Sequence, residues 1–289
     1  MGREEEIIKE RERKLKELRE NGVNPYPAKF EKKNLVDECL KAKLGTQVKT
    51  AGRVMTKRDI GKITFSDLSD FTGRIQLVLQ DKETPDKVIE LFNKFVDTGD
   101  IIGVEGKIFK TKTGQISILV SGLELLTKSL LPLPDKWHGL QDKEERYRKR
   151  YLDLVMNPEI RKVFDIRGKI YDSIREFMKS KEFVEVNTPI LQPIYGGASA
   201  RPFSSELNSL KMKVYLRISN ELYLKRLIVG GYERIFEFSP DFRNEGIDKT
   251  HNPEFTQVET MWAYADYKDN MKFAEEMISF VVKKAHGKT

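Results

Sequence analysis

The chain has 289 residues, room for about two domains, and its 39% hydrophobic residues can form packed cores. The 52 Lys and Arg residues against 45 Asp and Glu give a net charge of +7, which fits a polyanionic partner such as a nucleic acid or a nucleotide. The single cysteine, Cys39, excludes an internal disulfide, and no apolar run approaches the ~18 residues of a membrane span. We therefore expect a soluble cytoplasmic protein that does not enter a membrane.

The first twenty residues are densely charged and predict a helix. Acids precede bases by four positions, as at Glu5 and Lys9, and an Asn-Gly pair at 21–22 ends the pattern. Such a helix either lies solvated on the surface, which is the usual role of a charge run, or contacts RNA. We assign residues 1–46 to an N-terminal helical extension.

Residues 47–128 change to a period of two, which indicates β-strands. Five strands with a helix between the third and fourth fit a Greek-key barrel of the OB type, whereas an SH3-like barrel would usually lack that helix. We assign this range to an all-β OB-fold domain. The predicted strands are 47–55, 63–68, 73–80, 100–109 and 115–120, and the helix is 86–95.

A linker over residues 129–155 follows, stiffened by Leu-Pro-Leu-Pro at 131–134 and anchored by Trp137 and His138. Residues 156–289 alternate helical and strand periodicities, which predicts an α+β domain with an antiparallel sheet. Its predicted strands are 183–186, 213–219, 234–239 and 254–262, and its helices are 160–181, 221–229 and one capped by Asp266. The predicted core face of that last helix is Ala274, Met277, Ile278 and Val281.

A polar cluster near residue 250 carries the strongest chemical signal. Arg243 and Glu245 are two residues apart, so on a strand both would point to one face. On a second strand that returns beside it, Phe255, Gln257 and Glu259 would likewise share one face. An arginine can clamp a phosphate, an aromatic ring can stack on a base, and carboxylates can hold an ammonium group or Mg²⁺. Burying these groups without a ligand is costly, so the face predicts a binding site. The alternative is a surface sheet with ordinary ion pairs.

These residues lie in a stretch that resembles motif 2 of the class II aminoacyl-tRNA synthetases, FRNEGIDKTHNPEFTQVE (242–259). A second stretch, KEFVEVNTPIL (181–191), resembles motif 1. On further segments the chain is identified as a member of the lysyl-tRNA synthetase family, rather than of the enzymes for aspartate or asparagine. Those segments are residues 132–154, GGASARPF (196–203), ELYLKRL (221–227) and AYADY (263–267).

The resemblance implies an OB-fold domain that binds the tRNA anticodon, followed by a class II catalytic domain, here partial. The implied reaction is lysine plus ATP to lysyl-adenylate and pyrophosphate, then transfer to tRNA-Lys, with Mg²⁺ required and a homodimer formed through motif 1. Arg243 and Glu245 would be catalytic, with Arg243 on the ATP α-phosphate. The implied ATP contacts are Arg243, Asn244, Glu245, His251, Asn252 and Phe255, and the implied lysine contacts are Gly197, Glu221 and Glu259.

In the barrel, Phe65 follows a basic stripe that begins at Arg53. Stacking on Phe65, with hydrogen bonds from Arg53 and Gln76, would suit an unstacked uridine, and the resemblance places the anticodon there. The alternative is that Phe65 belongs to the core, as its alternation with Ile63 allows.

The chain also departs from the family pattern. The third class II motif and the acidic magnesium ligands have no counterpart, so no metal ligand is predicted in this sequence. The chain would be a fragment, one of two complementary chains, or a protein without catalysis, and a tRNA-binding protein without ligase activity is our second hypothesis. Met261 stands where the family often has a tyrosine whose hydroxyl contacts lysine, and Gln115 stands where it often has an acid that helps to read the anticodon.

Overall fold

A computed structural model describes residues 2–134 and 140–287. The chain forms two compact units, Met1–Glu159 and Ile160–Thr289, which we describe separately. The predicted anchors Trp137 and His138 lie outside the described residues. Across the described ranges, every helix is too short or too polar to span a membrane.

The first unit is a closed five-stranded barrel with the strand order β1-β2-β3-β5-β4. Strands β3 and β5 pair in parallel and the other neighbours pair antiparallel, with α3 between β3 and β4. The OB-type barrel is thereby confirmed. The elements of the first unit are α1 (Arg3–Glu20), α2 (Val36–Lys41), β1 (Gln47–Ile60), β2 (Ile63–Ser69), β3 (Arg74–Gln80), α3 (Asp86–Phe95), β4 (Ile101–Lys110), β5 (Ile116–Thr127), α4 (Lys143–Arg148) and α5 (Arg150–Met156).

The barrel closes around alternate apolar side chains, as the period of two predicts. Ile75, Leu77 and Leu79 of β3 are buried in the core, which α3 covers with Phe92 and Phe95. Strand β1 runs five residues beyond its predicted end at 55, because the residues that follow it still pair with β2. It ends where Gly61, with a φ of +62°, turns the chain into β2.

Helix α1 is more than a solvated surface element. Leu18 is completely buried in the barrel core, and the guanidinium of Arg11 donates to the carbonyls of Thr98, Ser129 and Leu131 at 2.9–3.0 Å. Lys14 pairs with Asp97 of the barrel at 2.7 Å, because the helix face that carries it lies against the barrel. The N-terminal extension is therefore bound to the barrel by buried polar contacts.

The second unit contains two three-stranded sheets, ordered β11-β10-β6 and β7-β9-β8. In the first sheet, β10 and β11 form an antiparallel hairpin and β6 joins β10 in parallel. The expected α+β class with an antiparallel sheet is confirmed. The elements of the second unit are α6 (Arg161–Ser180), β6 (Val184–Glu185), β7 (Leu191–Gln192), β8 (Ser204–Leu207), β9 (Met212–Leu216), α7 (Glu221–Val229), β10 (Arg234–Phe242), β11 (Glu254–Trp262) and α8 (Tyr267–His286).

One face of the β10–β11 hairpin forms the core of this unit with α6 and α8. Phe236 packs there with Phe177 and Phe273, and Asp266 caps α8 as predicted. The predicted core face of α8 was wrong at Ile278, which is 59% exposed. The packed face is centred on Phe273 and Met277 instead, one position around the helix, because the ring of Phe273 fills the space beside Phe177.

Candidate active site and nucleic-acid interface

The opposite face of the β10–β11 hairpin carries a row of polar side chains. Cross-strand partners in a β-ladder point to the same side of the sheet, so the register of the hairpin defines the members of this face. The partners are Glu237 with Glu259, Ser239 with Gln257, and Asp241 with Phe255. Met261 extends the same face opposite Ile235.

Arg243 lies at the end of this face, where its backbone N–H donates to the Pro253 carbonyl at 2.9 Å. Its guanidinium is 5.0 Å from the ring centroid of Phe255, and its Nε donates to the Ile218 carbonyl at 3.3 Å. Among the described residues its remaining N–H groups have no partner. A cation with unused donors beside an aromatic ring can hold a phosphate next to a stacked base.

Glu245 does not share the face on which the sequence pattern placed it. Strand β10 ends at Phe242, and the N–H of Glu245 turns back to the Arg243 carbonyl at 3.1 Å. Its carboxylate instead accepts from the backbone N–H of Arg201 at 3.4 Å, while the N–H of Asn244 donates to the Arg201 carbonyl at 2.8 Å. The prediction from alternation was wrong for Glu245, because the strand ends three residues before it.

The loop from 243 to 253 presents the remaining predicted ATP contacts to solvent. His251 and Asn252 are exposed, and the Nδ1 of His251 lies 2.8 Å from the Asp248 carboxylate. The backbone N–H of Thr250 and the His251 side chain hold the pKa of Asp248 well below its usual value. The loop thus has internal order while its side chains stay accessible.

The residues assigned to lysine binding lie together. A Cβ on Gly197, whose φ is +87°, would lie 2.9 Å from Ser219 Oγ and 3.0 Å from the Cβ of Glu221, so only glycine allows this approach. Burial, and then the charges of Glu221 and other nearby carboxylates, raise the pKa of Glu259. A group of acids that repel each other is suited to a cationic ligand.

A buried arginine lies beneath this face, and sequence reasoning did not find it. Arg217, only 1% exposed, contacts Glu237 at 2.8 Å and Asp241 at 3.3 Å. It also donates to the carbonyls of Thr188 and Pro240. Burial opposes ionisation of Glu237, but hydrogen bonds from Asn220, Thr188 and Arg217 outweigh it and keep its pKa low. The available signal was the run of polar residues at 237, 239 and 241, which share one face of a strand.

We expect Asp241→Asn to stabilise the protein near pH 7. Asp241 Oδ2 is the one buried side-chain N or O atom of the described residues without a hydrogen-bond partner, and burial raises the pKa of this carboxyl. A carboxyl whose pKa is raised in the folded state stabilises the fold at pH values below its ordinary pKa of 3.8. This stabilisation is lost as the pH rises through the pKa of the folded state. The asparagine should therefore add about 1 kcal/mol to the free energy of unfolding near pH 7 and little near pH 4.

Urea unfolding at both pH values measures this difference. The matched control is Asp248→Asn, because the pKa of Asp248 is lowered and its carboxylate favours the folded state near neutral pH. This control should lower the free energy of unfolding near pH 7. A loss of stability near pH 7 in Asp241→Asn would contradict the prediction.

The barrel carries a second candidate site, a surface cavity of about 450 Å³. Phe65 lines it and lies outside the hydrophobic core of the barrel, so the alternative of a core phenylalanine does not describe this fold. Gln76, Phe109 and Gln115 also line the cavity. Aromatic rings and amides around an open cavity can hold an unstacked base.

Arg53 does not join Phe65 and Gln76 in this cavity. It pairs with Ser69 at the far end of β2, and its guanidinium donates to the Gly99 carbonyl at 2.6 Å. Arg58 pairs directly with Phe65 and lines the cavity instead. Counting back from the turn at Gly61 pairs Arg58 with Phe65, whereas Arg53 lies further along the ladder, opposite Ser69.

Comparison with known proteins agrees with both halves of this description. Residues 48–126 match the OB-fold nucleic acid binding domain family, and residues 142–289 match the tRNA synthetases class II (D, K and N). The chain belongs to this class II tRNA synthetase family.

Relatives named lysine–tRNA ligase cover nearly the whole chain. The protein of Carboxydothermus hydrogenoformans is 50% identical over 98% of the chain, and that of Methanoculleus marisnigri is 49% identical over 96%. Lysine–tRNA ligase 2 of Methanosarcina mazei is 50% identical over 95%. The chain spans 58%, 56% and 55% of the lengths of these three relatives.

Proposed function

We propose that the chain is a lysine–tRNA ligase, in which the β10–β11 face binds ATP and lysine and the barrel binds the tRNA anticodon. The observation that carries this proposal is the guanidinium of Arg243 beside the ring of Phe255, next to a group of carboxylates. A phosphate, a purine and an ammonium group would each find a complementary partner there. The names of the relatives support lysine as the amino acid.

The proposed chemistry needs no nucleophile from the protein. The lysine carboxylate attacks the α-phosphorus of ATP, and pyrophosphate leaves. A tRNA hydroxyl then attacks the carbonyl carbon of the lysyl-adenylate, which forms the ester and releases AMP. Arg243 would stabilise the charge that grows on the α-phosphate, and Phe255 would stack on adenine. Gly197 and Glu221 would help to hold the α-ammonium of lysine, and Glu259 would face the substrate. Asn244, Glu245, His251 and Asn252 would contact ATP from the exposed loop.

Magnesium accompanies ATP in the implied reaction. The described ranges contain no group of three His, Cys, Asp or Glu side chains that could hold a metal ion. We therefore assign no magnesium ligand to these residues and derive no step through the ion.

The proposed setting is the cytoplasm, and the proposed assembly is a homodimer formed through the motif 1 segment, residues 181–191. Two apolar side chains of that segment, Ile190 and Leu191, are 39% and 53% exposed, which supports an interface there. Sedimentation equilibrium of the chain, compared with a variant carrying Leu191→Asp, measures the association.

In the barrel we expect Phe65→Ala to weaken binding of a tRNA-Lys transcript about tenfold. The ring lines the cavity, and stacking of one base on an aromatic side chain contributes about 1–3 kcal/mol. Filter binding or fluorescence anisotropy measures the dissociation constant. Phe71→Ala is the matched control, because Phe71 is a 69% exposed ring of the same barrel outside the cavity. Equal affinities of the Phe65 and Phe71 variants would contradict the proposed site.

A tRNA-binding protein without ligase activity is the second candidate. The observation that favours it is the barrel cavity lined by Phe65 and Gln76, which can hold a base without any amino-acid activation. Anticodon binding is common to both candidates, so amino-acid activation distinguishes them.

A further inference from the structure

Gln257 lies in the middle of the polar face of the β10–β11 hairpin, between Phe255 and Glu259 on β11. Its Nε2 donates to Oε2 of the Glu259 carboxylate at 3.1 Å and lies 3.5 Å from Oδ1 of Asn220. Residues two apart on a strand share one face, so the strand itself brings the two side chains of β11 together. Gln257 therefore contacts the carboxylate that is proposed to face lysine.

A chain of buried hydrogen bonds fixes which end of the Gln257 amide faces Glu259. Arg217 donates to the Glu237 carboxylate at 2.8 Å, and that carboxylate accepts from Nδ2 of Asn220 at 2.9 Å. Because an ionised carboxylate only accepts, Asn220 directs its NH2 group toward Glu237 and its Oδ1 toward Gln257. Gln257 then presents Nε2, since its own oxygen would face two acceptors. Asn220 is completely buried, so the fold sets this orientation.

The surroundings of Glu259 oppose its charge. Burial raises the pKa of Glu259, and the charges of Glu221, Asp241 and Glu237 raise it further. Lys225 of α7 acts in the opposite direction but is itself paired with Glu221. A hydrogen bond donated to the ionised carboxylate favours the charged form, and Gln257 supplies one.

Only one oxygen of the Glu259 carboxylate is used in this way. Among the described residues, Oε1 of Glu259 has no hydrogen-bond partner, yet it is not one of their fully buried unpartnered atoms. It therefore stays accessible as an acceptor on the polar face, which suits a ligand that offers N–H donors and a positive charge.

We propose that Gln257 is a positioning residue: held by Asn220, it binds one oxygen of the Glu259 carboxylate and leaves the other free for the ammonium group of the amino-acid substrate. This inference rests on the proposed binding of lysine by the β10–β11 face. If Gln257 only packed that face, its replacement would change the stability of the protein and leave the titration of Glu259 as it is.

The test follows the titration of Glu259 directly. NMR of the full chain with isotope-labelled glutamate carboxyl carbons gives the pKa, and the Glu259 signal is the one that disappears in Glu259→Gln. We expect Gln257→Met, which keeps the length of the side chain but loses the donor, to raise the pKa of Glu259 by about 1. Isothermal titration calorimetry with lysine should show binding about fivefold weaker near pH 7, because the carboxylate is no longer held in place.

Two further variants complete the design. Thr256→Val is the matched control, since Thr256 is the exposed neighbour of Gln257 on β11 and points to the other face of the sheet. It should leave the pKa of Glu259 and the affinity for lysine unchanged. Gln257→Glu keeps the shape of the side chain but places an acid beside Glu259, so it should raise the pKa of Glu259 further than Gln257→Met does. This variant tests the inference even if Gln257→Met does not fold.

An unchanged pKa of Glu259 in folded Gln257→Met, or an equal affinity for lysine in that variant and the wild type, would overturn the role of Gln257 while leaving lysine binding in place. Failure of the wild type to bind lysine would overturn the proposed function, and the ligand assigned to Glu259 with it, whatever the pKa of Glu259.

Discussion

Replacing Arg217 by alanine is expected to lower the free energy of unfolding of the second unit by about 3–5 kcal/mol. The guanidinium is the buried cation between Glu237 and Asp241, which are 1% and 0% exposed. Its removal would leave two buried carboxylates without their cation and the carbonyls of Thr188 and Pro240 without a donor. Urea unfolding followed by circular dichroism measures the change.

Arg226→Ala is the control for this experiment, because Arg226 is exposed on α7 with its guanidinium 4.5 Å from the ring centroid of Tyr223. It should cost no more than about 0.5 kcal/mol. The triple variant Arg217→Met with Glu237→Gln and Asp241→Asn should recover much of the loss, since it removes both unpaired charges. Equal stability of Arg217→Ala and Arg226→Ala would show that the buried arginine does not hold this face together.

The largest functional effect is expected from Arg243→Ala, which should lower lysine-dependent exchange between ATP and pyrophosphate by about a hundredfold or more. Arg243 has unused N–H donors beside the Phe255 ring, so it is placed to bind the α-phosphate as its charge grows. The exchange rate of Arg243→Lys should lie between those of the wild type and Arg243→Ala, because lysine keeps the charge but loses the planar fork of donors.

Arg226→Ala serves again as the control here and should keep full exchange. Unaltered exchange in Arg243→Ala would contradict the assignment of this arginine to the nucleotide, whereas a loss that follows only from unfolding would appear in the circular dichroism spectrum.

The barrel could be predicted from sequence because its signals are local. The period of two placed Ile75, Leu77 and Leu79 inside, and the helix at 86–95 separated an OB-type barrel from other small barrels. The hairpin that carries Phe255 and Glu259 was predicted for the same reason, since both strands alternate without interruption.

The remaining features depend on tertiary contacts that no local pattern contains. The buried partners of Arg217 come from separate segments of the chain, so its role is visible only once they are folded together. Arg53 lies opposite Ser69, too far along the strand to reach the cavity beside Phe65, and an early strand end moved Glu245 off the polar face. In both cases the register and the end of a strand decide which side chains meet.

The most direct test of lysine activation by this chain is exchange between ATP and pyrophosphate by the wild type, with the twenty amino acids supplied one at a time. We expect exchange with lysine and with no other amino acid. Exchange with aspartate or asparagine instead would contradict the lysine assignment. No exchange with any amino acid, from folded protein that binds tRNA-Lys, would contradict activation by this chain and leave anticodon binding as its function.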